Sequence, residues 1–281
     1  MPPTPFWPGA ARPEETGDTV NVVRFERDGD AGAIVLCSPP NWLTRQFADD
    51  LAEAVHQAGE SDIRALLIRA EGEHFSVGGA VFEWPDKDQR WFRTFVGEVN
   101  TSYRTIEALP VPVVAAVRGR ALGGGFELVL AADLIIASET AVFHCIEATS
   151  GMVPLAGAVQ RIAAAAGPYQ AARIAMLMPP ITAKDAASLN LVAEVVADEE
   201  LDKKALDLAR GLAEGPTRGF AAIKSLVKAQ GVGETAADTL MADLTMDLYD
   251  SADARNAIPP LGAELAAGHL PPEISIDWLG R

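Results

Sequence analysis

Cysteine is scarce: the 281 residues hold only Cys37 and Cys145. Two thiols cannot build a disulfide framework and read as buried side chains in a reducing compartment. Histidine is scarce too, and His56, His74, His144 and His269 show no ligand-type spacing, so no metal site is expected. Positive charge is short, with 23 Lys+Arg against 39 Asp+Glu, a formal net charge of −16 and a pI near 4.6. That balance argues against a nucleic-acid partner, which needs a basic face. No run of 18 residues lacks a charge. The most membrane-like stretch, 121–138, is broken by Glu127, Asp133 and three glycines, so no membrane partner is expected. The first eighteen residues carry five prolines but no basic start and no apolar core, unlike a signal peptide. Residues 1–19 are expected to form a flexible tail with Phe6 and Trp7 as anchors, and the protein to be cytoplasmic.

What is present is a globular composition, 49% hydrophobic and 22% charged, with enough length for a sizeable core. Val20–Arg24 and Ala33–Cys37 are β-rich runs around Asp28-Gly29-Asp30, a hairpin signal. Thr44 caps an expected helix over Arg45–Ala58. A buried strand follows at Ile63–Arg69, then the loop Ser76-Val77-Gly78-Gly79. A helix is expected from about Asp88 to Ala108 and a strand at Val113–Val117. After Gly123-Gly124-Gly125 come a helix over Phe126–Ala132, β-rich runs at Leu134–Ala137 and Ala141–Cys145, and a helix over Ala156–Ala166. Thr182 caps a short helix, Glu194–Ala197 reads as a last strand, and 199–267 is nearly all helical. There Ala237, Leu240, Met241, Leu244 and Leu248 form an apolar stripe. Alternating strands and helices over 20–198, then helices over 199–281, predict an α/β core with a helical C-terminal region.

Three features can carry chemistry. The run Arg120 to Glu127 places three glycines between a strand and a helix, where a ligand can approach the backbone and N–H groups are unpaired. It has neither the Lys-Ser/Thr of a P-loop nor the spacing of a dinucleotide turn. An N–H from such a turn can stabilise an oxyanion, although on spacing alone helix–strand packing is the simpler account. Glu147 ends the run Phe143-His144-Cys145-Ile146-Glu147, as a solvated strand end or as a placed acid. Two carboxylates in one pocket titrate as a coupled unit, one neutral while the other is anionic, and can hold a water between base and acid. The loop around Gly79 is either an ordinary turn or a second oxyanion donor.

Together these segments resemble the enoyl-CoA hydratase/isomerase (crotonase) family. The resemblance rests on HFSVGGA (74–80), PVVAAVRGRALGGGFELVLAADLIIAS (112–138) and AVFHCIEATSGMVPLAGAVQRI (141–162), with weaker matches in 181–196 and 249–255. It implies a crotonase-like spiral of ββα units and a helical C-terminal region used for oligomerisation, as a homotrimer or dimer of trimers. It also implies an acyl-CoA thioester substrate, with no cofactor beyond the coenzyme A that the substrate carries. The N–H groups of Gly79 and Gly124 would form the oxyanion hole, and Val77, Ala80, Val81, Gly123 and Leu155 would contact substrate. Glu127 and Glu147 match both glutamates of the hydratases, which implies a lyase that adds water to a 2-enoyl-CoA, Glu127 as base and Glu147 as acid. Isomerase, CoA-ester hydrolase and a silent acyl-CoA binder are the alternatives.

The chain departs from the family at several points. Ala80 stands where the family has an acid, and His144-Cys145-Ile146 where it has Gly-Gln-Pro. Leu155 replaces a glycine whose N–H helps hold the water, and a leucine keeps that N–H. Phe82, Trp84, Trp91, Phe92 and Phe95 form an aromatic stretch that either packs the core or lines a pocket for a flat acyl group. Arg45, Arg118, Arg120, Lys224 and Lys228 are available to the coenzyme A phosphates.

Overall fold

A computed structural model describes residues 21–229, 234–249, 251–266 and 278. The expected tail with Phe6 and Trp7 lies outside the described residues. The chain opens with the hairpin β1 (Val23–Asp28) and β2 (Ala31–Leu36), joined by a two-residue turn at Gly29-Asp30. Both strands run to the turn, so β1 lies later than the 20–24 expected. Four turns of one pattern follow. In each, a long strand is succeeded by a short strand and then a helix. β2 leads to β3 (Trp42–Leu43) and α1 (Arg45–Glu60). β4 (Ala65–Ala70) leads to β5 (Gly78–Gly79) and α2 (Gln89–Ala108). β6 (Val113–Val117) leads to β7 (Arg120–Leu122) and α3 (Gly124–Val129). β8 (Leu134–Ser138) leads to β9 (Val142–His144) and α4 (Ala158–Ala166).

The long strands form one sheet in the order β1-β2-β4-β6-β8-β11, with β11 at Glu194–Val196. Only the β1–β2 pair is antiparallel. The short strands form a second layer: β3 pairs with β5, β7 with β9, and a parallel bridge from Ser76 to Ala121 joins the two pairs. Each turn therefore adds one strand to each layer, and the chain advances as a spiral of ββα units. The two-residue strands are too short to leave a periodic signal, which is why the sequence reading omits them. α5 (Pro168–Leu177), β10 (Ile181–Thr182) and α6 (Ala183–Ser188) complete the core.

Alternation along the parallel strands buries both faces of the main sheet. Leu66, Ile68, Val113, Ala115 and Val117 join the core built with α1 and α2. Leu67, Val114, Ala116 and Ile136 face Leu201, Ala205 and Ala209 of α7 (Leu201–Ala213). The first helix of the C-terminal region thus belongs to the core. α8 (Thr217–Ala229) is tied on by Lys224, whose Nζ lies 2.6 Å from Asp133, itself accepting from the Val113 N–H. α9 (Glu234–Tyr249) and α10 (Ala252–Ala266) follow. In α9 Leu240, Leu244 and Leu248 are half-buried and Met241 is exposed, while the side chain of Ala237 lies outside the described residues.

Within the second layer, β5, β7 and the start of α3 approach one another at glycines. Gly78 has φ +86°, and a Cβ there would stand 2.8 Å from the Leu122 carbonyl oxygen. A Cβ on Gly125 would stand 2.6 Å from that of Ser76. We expect Gly78→Ala and Gly125→Ala each to destabilise by about 2 kcal/mol, lowering Tm by roughly 5 °C. Thermal unfolding checks this, and an unchanged Tm in both would contradict the close approach.

Candidate active site

Glu127 projects from α3, whose first residue, Gly124, follows β7 directly. The residue is 3% exposed. Its Oε1 accepts hydrogen bonds from the Ala156 N–H at 2.6 Å and the Ala158 N–H at 3.1 Å. Its Oε2 accepts from the Leu155 N–H at 3.3 Å. The family glycine replaced by Leu155 is therefore no loss to this contact. Burial raises the Glu127 pKa, opposed by those three N–H groups and by the Arg161 charge. Asn100 of α2 fastens the same turn by donating to the Leu155 carbonyl at 2.7 Å.

Glu147 begins a 3-10 turn after β9, and its environment is the opposite. Both carboxylate oxygens are buried, and neither meets a hydrogen-bond donor at bonding distance among the described residues. Burial is the first cause that pushes its pKa up, to about 7; the backbone nearby works against this and Glu127 adds to it. A Cβ on Gly123 would lie 3.2 Å from the Glu147 Oε1, so this carboxyl rests on the glycine turn.

Both glutamates line one cavity of about 630 Å³. Its other walls are largely apolar: Trp42, Trp84, Phe95, Val99, Met152 and Leu177. Of the residues expected at the site, Val77, Gly79, Val81, Gly123, Gly124 and Leu155 line this cavity. Ala80 does not; it is fully buried, with its N–H on the Leu43 carbonyl at 3.1 Å. Gly124 opens α3, so its N–H has no acceptor one helical turn earlier. Its carbonyl accepts from the fully buried Tyr103 hydroxyl at 2.8 Å, which fixes the helix start from α2. Gly79 lies under Trp84, whose ring would stand 2.9 Å from a Cβ there.

Of the aromatic stretch only Trp84 and Phe95 line the cavity. Phe92 packs edge-on against Trp84, Trp91 stacks on Phe95, and Phe82 packs edge-on against Trp42. His144 is buried, lines the cavity and places Nε2 2.6 Å from the Met178 carbonyl oxygen; burial lowers its pKa and keeps it neutral. The cations weighed for phosphates do not line the cavity. Arg45 pairs with Asp49 and Glu98, Arg118 with Asp198 and Asp202, and Lys224 with Asp133. Asn100, Tyr103 and Arg161 escaped the sequence reading, because each acts through backbone carbonyls that only the fold brings near.

A two-layer ββα spiral with two glutamates and a glycine turn in one apolar cavity defines a crotonase-fold protein. The chain belongs to the enoyl-CoA hydratase/isomerase family, whose model matches residues 27–257. It is 31% identical over 210 residues to a protein of Mycobacterium tuberculosis (strain ATCC 25618 / H37Rv) named "Probable enoyl-CoA hydratase EchA17", covering 73% of this chain and 80% of that one. It is 30% identical over 241 residues to a "Probable enoyl-CoA hydratase" of Rhodobacter capsulatus, covering 85% and 93%. The solved enoyl-CoA hydratase of Thermoplasma volcanium GSS1 superposes with a TM-score of 0.80 at 29% identity, over 85% of this chain and 96% of that one. Among the described residues no helix is long and apolar enough to cross a membrane, and no group of three or more His, Cys, Asp or Glu is placed to hold a metal ion.

Burial opposes the Glu147 anion, so its effect on stability has a definite sign. The contribution of the neutral carboxyl is fully present below pH 4.5 and is lost as pH rises through about 7. The interval between 4.5 and about 7 corresponds to roughly 3 kcal/mol. Glu147→Gln should therefore gain stability over the parent protein between pH 5 and pH 8, by up to about that amount. Denaturant melts at the two pH values check this, and a parallel pH dependence of both proteins would contradict it.

Proposed function

We propose that the protein is an enoyl-CoA hydratase-like lyase that adds water across the double bond of a 2-enoyl-CoA thioester. The observation that carries this reading is the unlike pair of carboxylates on one cavity. Glu127 is held as an acceptor by three N–H groups, and Glu147 meets no donor at bonding distance among the described residues and has its pKa pushed up by burial to about 7. The pair divides into a base and an acid.

The thioester carbonyl sits between the N–H groups of Gly79 and Gly124. Glu127 takes a proton from water as the water oxygen bonds to C3 of the enoyl group. The C2–C3 π electrons move into the thioester, and the two N–H groups carry the resulting enolate charge. The enolate collapses as C2 takes the proton of Glu147, giving the 3-hydroxyacyl-CoA. Proton exchange from Glu127 to Glu147 restores the starting state. No group other than the coenzyme A of the substrate takes part. Soluble oligomers, as trimers or pairs of trimers, are part of the same reading.

Incubation with crotonyl-CoA and longer or cyclic enoyl-CoAs tests it through loss of conjugated-thioester absorbance and identification of product. The expected product is 3-hydroxyacyl-CoA, with kcat lowered at least 100-fold in Glu127→Gln and Glu147→Gln. The kcat/KM profile should lose activity as pH rises through about 7, where Glu147 gives up its proton. A shifted alkene or free CoA as the sole product would overturn the hydratase in favour of an isomerase or a hydrolase.

A further inference from the structure

The turn that clasps Glu127 is itself held from the far side. The Arg161 guanidinium, on α4, donates to the Ala156 carbonyl through Nη1 and to Glu107 of α2 through Nε at 2.6 Å. It occupies the space that a Cβ on Gly157 would need, 2.7 Å from Nη1. Lys228 of α8 donates to the Glu107 main-chain carbonyl. A continuous path thus runs from α8 and α2 through Glu107 and Arg161 to the N–H groups on Glu127. Around Glu127 stand Tyr103 from α2 and Cys145 and Glu147 from the end of β9, each pushed up by burial and by the Glu127 charge, and Arg161 from α4, which favours the Glu127 anion. In that set Arg161 is the cation.

We propose that Arg161, anchored by Glu107, is a positioning residue that locks the 155–158 turn onto Glu127 and places a guanidinium on the far side of that turn. The inference rests on Glu127 being the base of the proposed reaction. Two effects follow from one side chain. Its Nη1 holds the Ala156 carbonyl within the turn that carries the three N–H groups, and its charge, shared with Glu107, favours the Glu127 anion. Neither Arg161 nor Glu107 lines the cavity, so neither touches substrate.

Carboxyl titration separates this from a merely structural ion pair. In protein labelled with δ-¹³C glutamate, the Glu127 resonance is assigned by its absence in Glu127→Gln and followed with pH by NMR. In Arg161→Met its midpoint should move up by about one pH unit. In Arg161→Lys it should stay within a few tenths of a unit, while kcat on an accepted enoyl-CoA falls roughly tenfold at near-constant KM. An unmoved midpoint in folded Arg161→Met, or an unchanged kcat in Arg161→Lys, would overturn the proposal. If Arg161→Met does not fold, Arg161→Gln keeps a donor for the Ala156 carbonyl without the charge and should show the same upward move. Should the parent protein hydrate no enoyl-CoA, the functional reading fails alone, because the titration needs no turnover.

Discussion

Glu127 takes a carboxylate to a point where 3% of the residue meets solvent. Burying a charge there without compensation would be prohibitive, and three N–H groups from residues 155–158 provide it. Much of the spiral can be understood as the means of bringing those two pieces together. The glutamate comes from the third ββα unit and the N–H groups from the fourth, and the main sheet holds the two units in register through β6 and β8. Tyr103 and Asn100 of α2, in the second unit, hold the Gly124 and Leu155 carbonyls. Three successive turns of the spiral thus converge on one carboxylate.

The second carboxylate gains its character from lacking the same support. Glu147 is as much a pocket residue as Glu127, but it lies against the Gly123 turn, where a Cβ would stand 3.2 Å from its Oε1, with no donor at bonding distance among the described residues. A neutral carboxyl next to an anionic one is the arrangement that coupling favours, since two like charges at short range oppose each other. The apolar walls from Trp42, Trp84 and Phe95 strengthen that bias by keeping the local dielectric low. The asymmetry of the pair is therefore a property of the backbone around it.

Legibility from sequence followed the length of the signal. α1, with Thr44 as its cap, and α2, both with apolar side chains at helical spacing, were readable almost to their ends, and the structure adds Asp88 as the cap of α2. The buried strands β4, β6 and β8 were legible as apolar runs. β3, β5, β7 and β10 were not, because two or three residues carry no period, and they are the strands that build the layer around the site. Glu127, Glu147, Gly79 and Gly124 were found through motif spacing and resemblance, and all four line the cavity. Ala80 lies off the cavity, fully buried where the chain turns from β5 into the short 3-10 helix over 81–83, a turn that the sequence does not mark. Arg161 and Asn100 were invisible because their partners are carbonyl oxygens, which no sequence pattern marks.

The central claim is that the two carboxyls hold different protonation states in the resting protein. Neutron diffraction from deuterium-exchanged crystals near pH 6 observes this directly. The account predicts a deuteron on Glu147 and none on Glu127, whose oxygens instead receive those of the Leu155, Ala156 and Ala158 amides. A deuteron on Glu127, or two bare carboxylates, would contradict it.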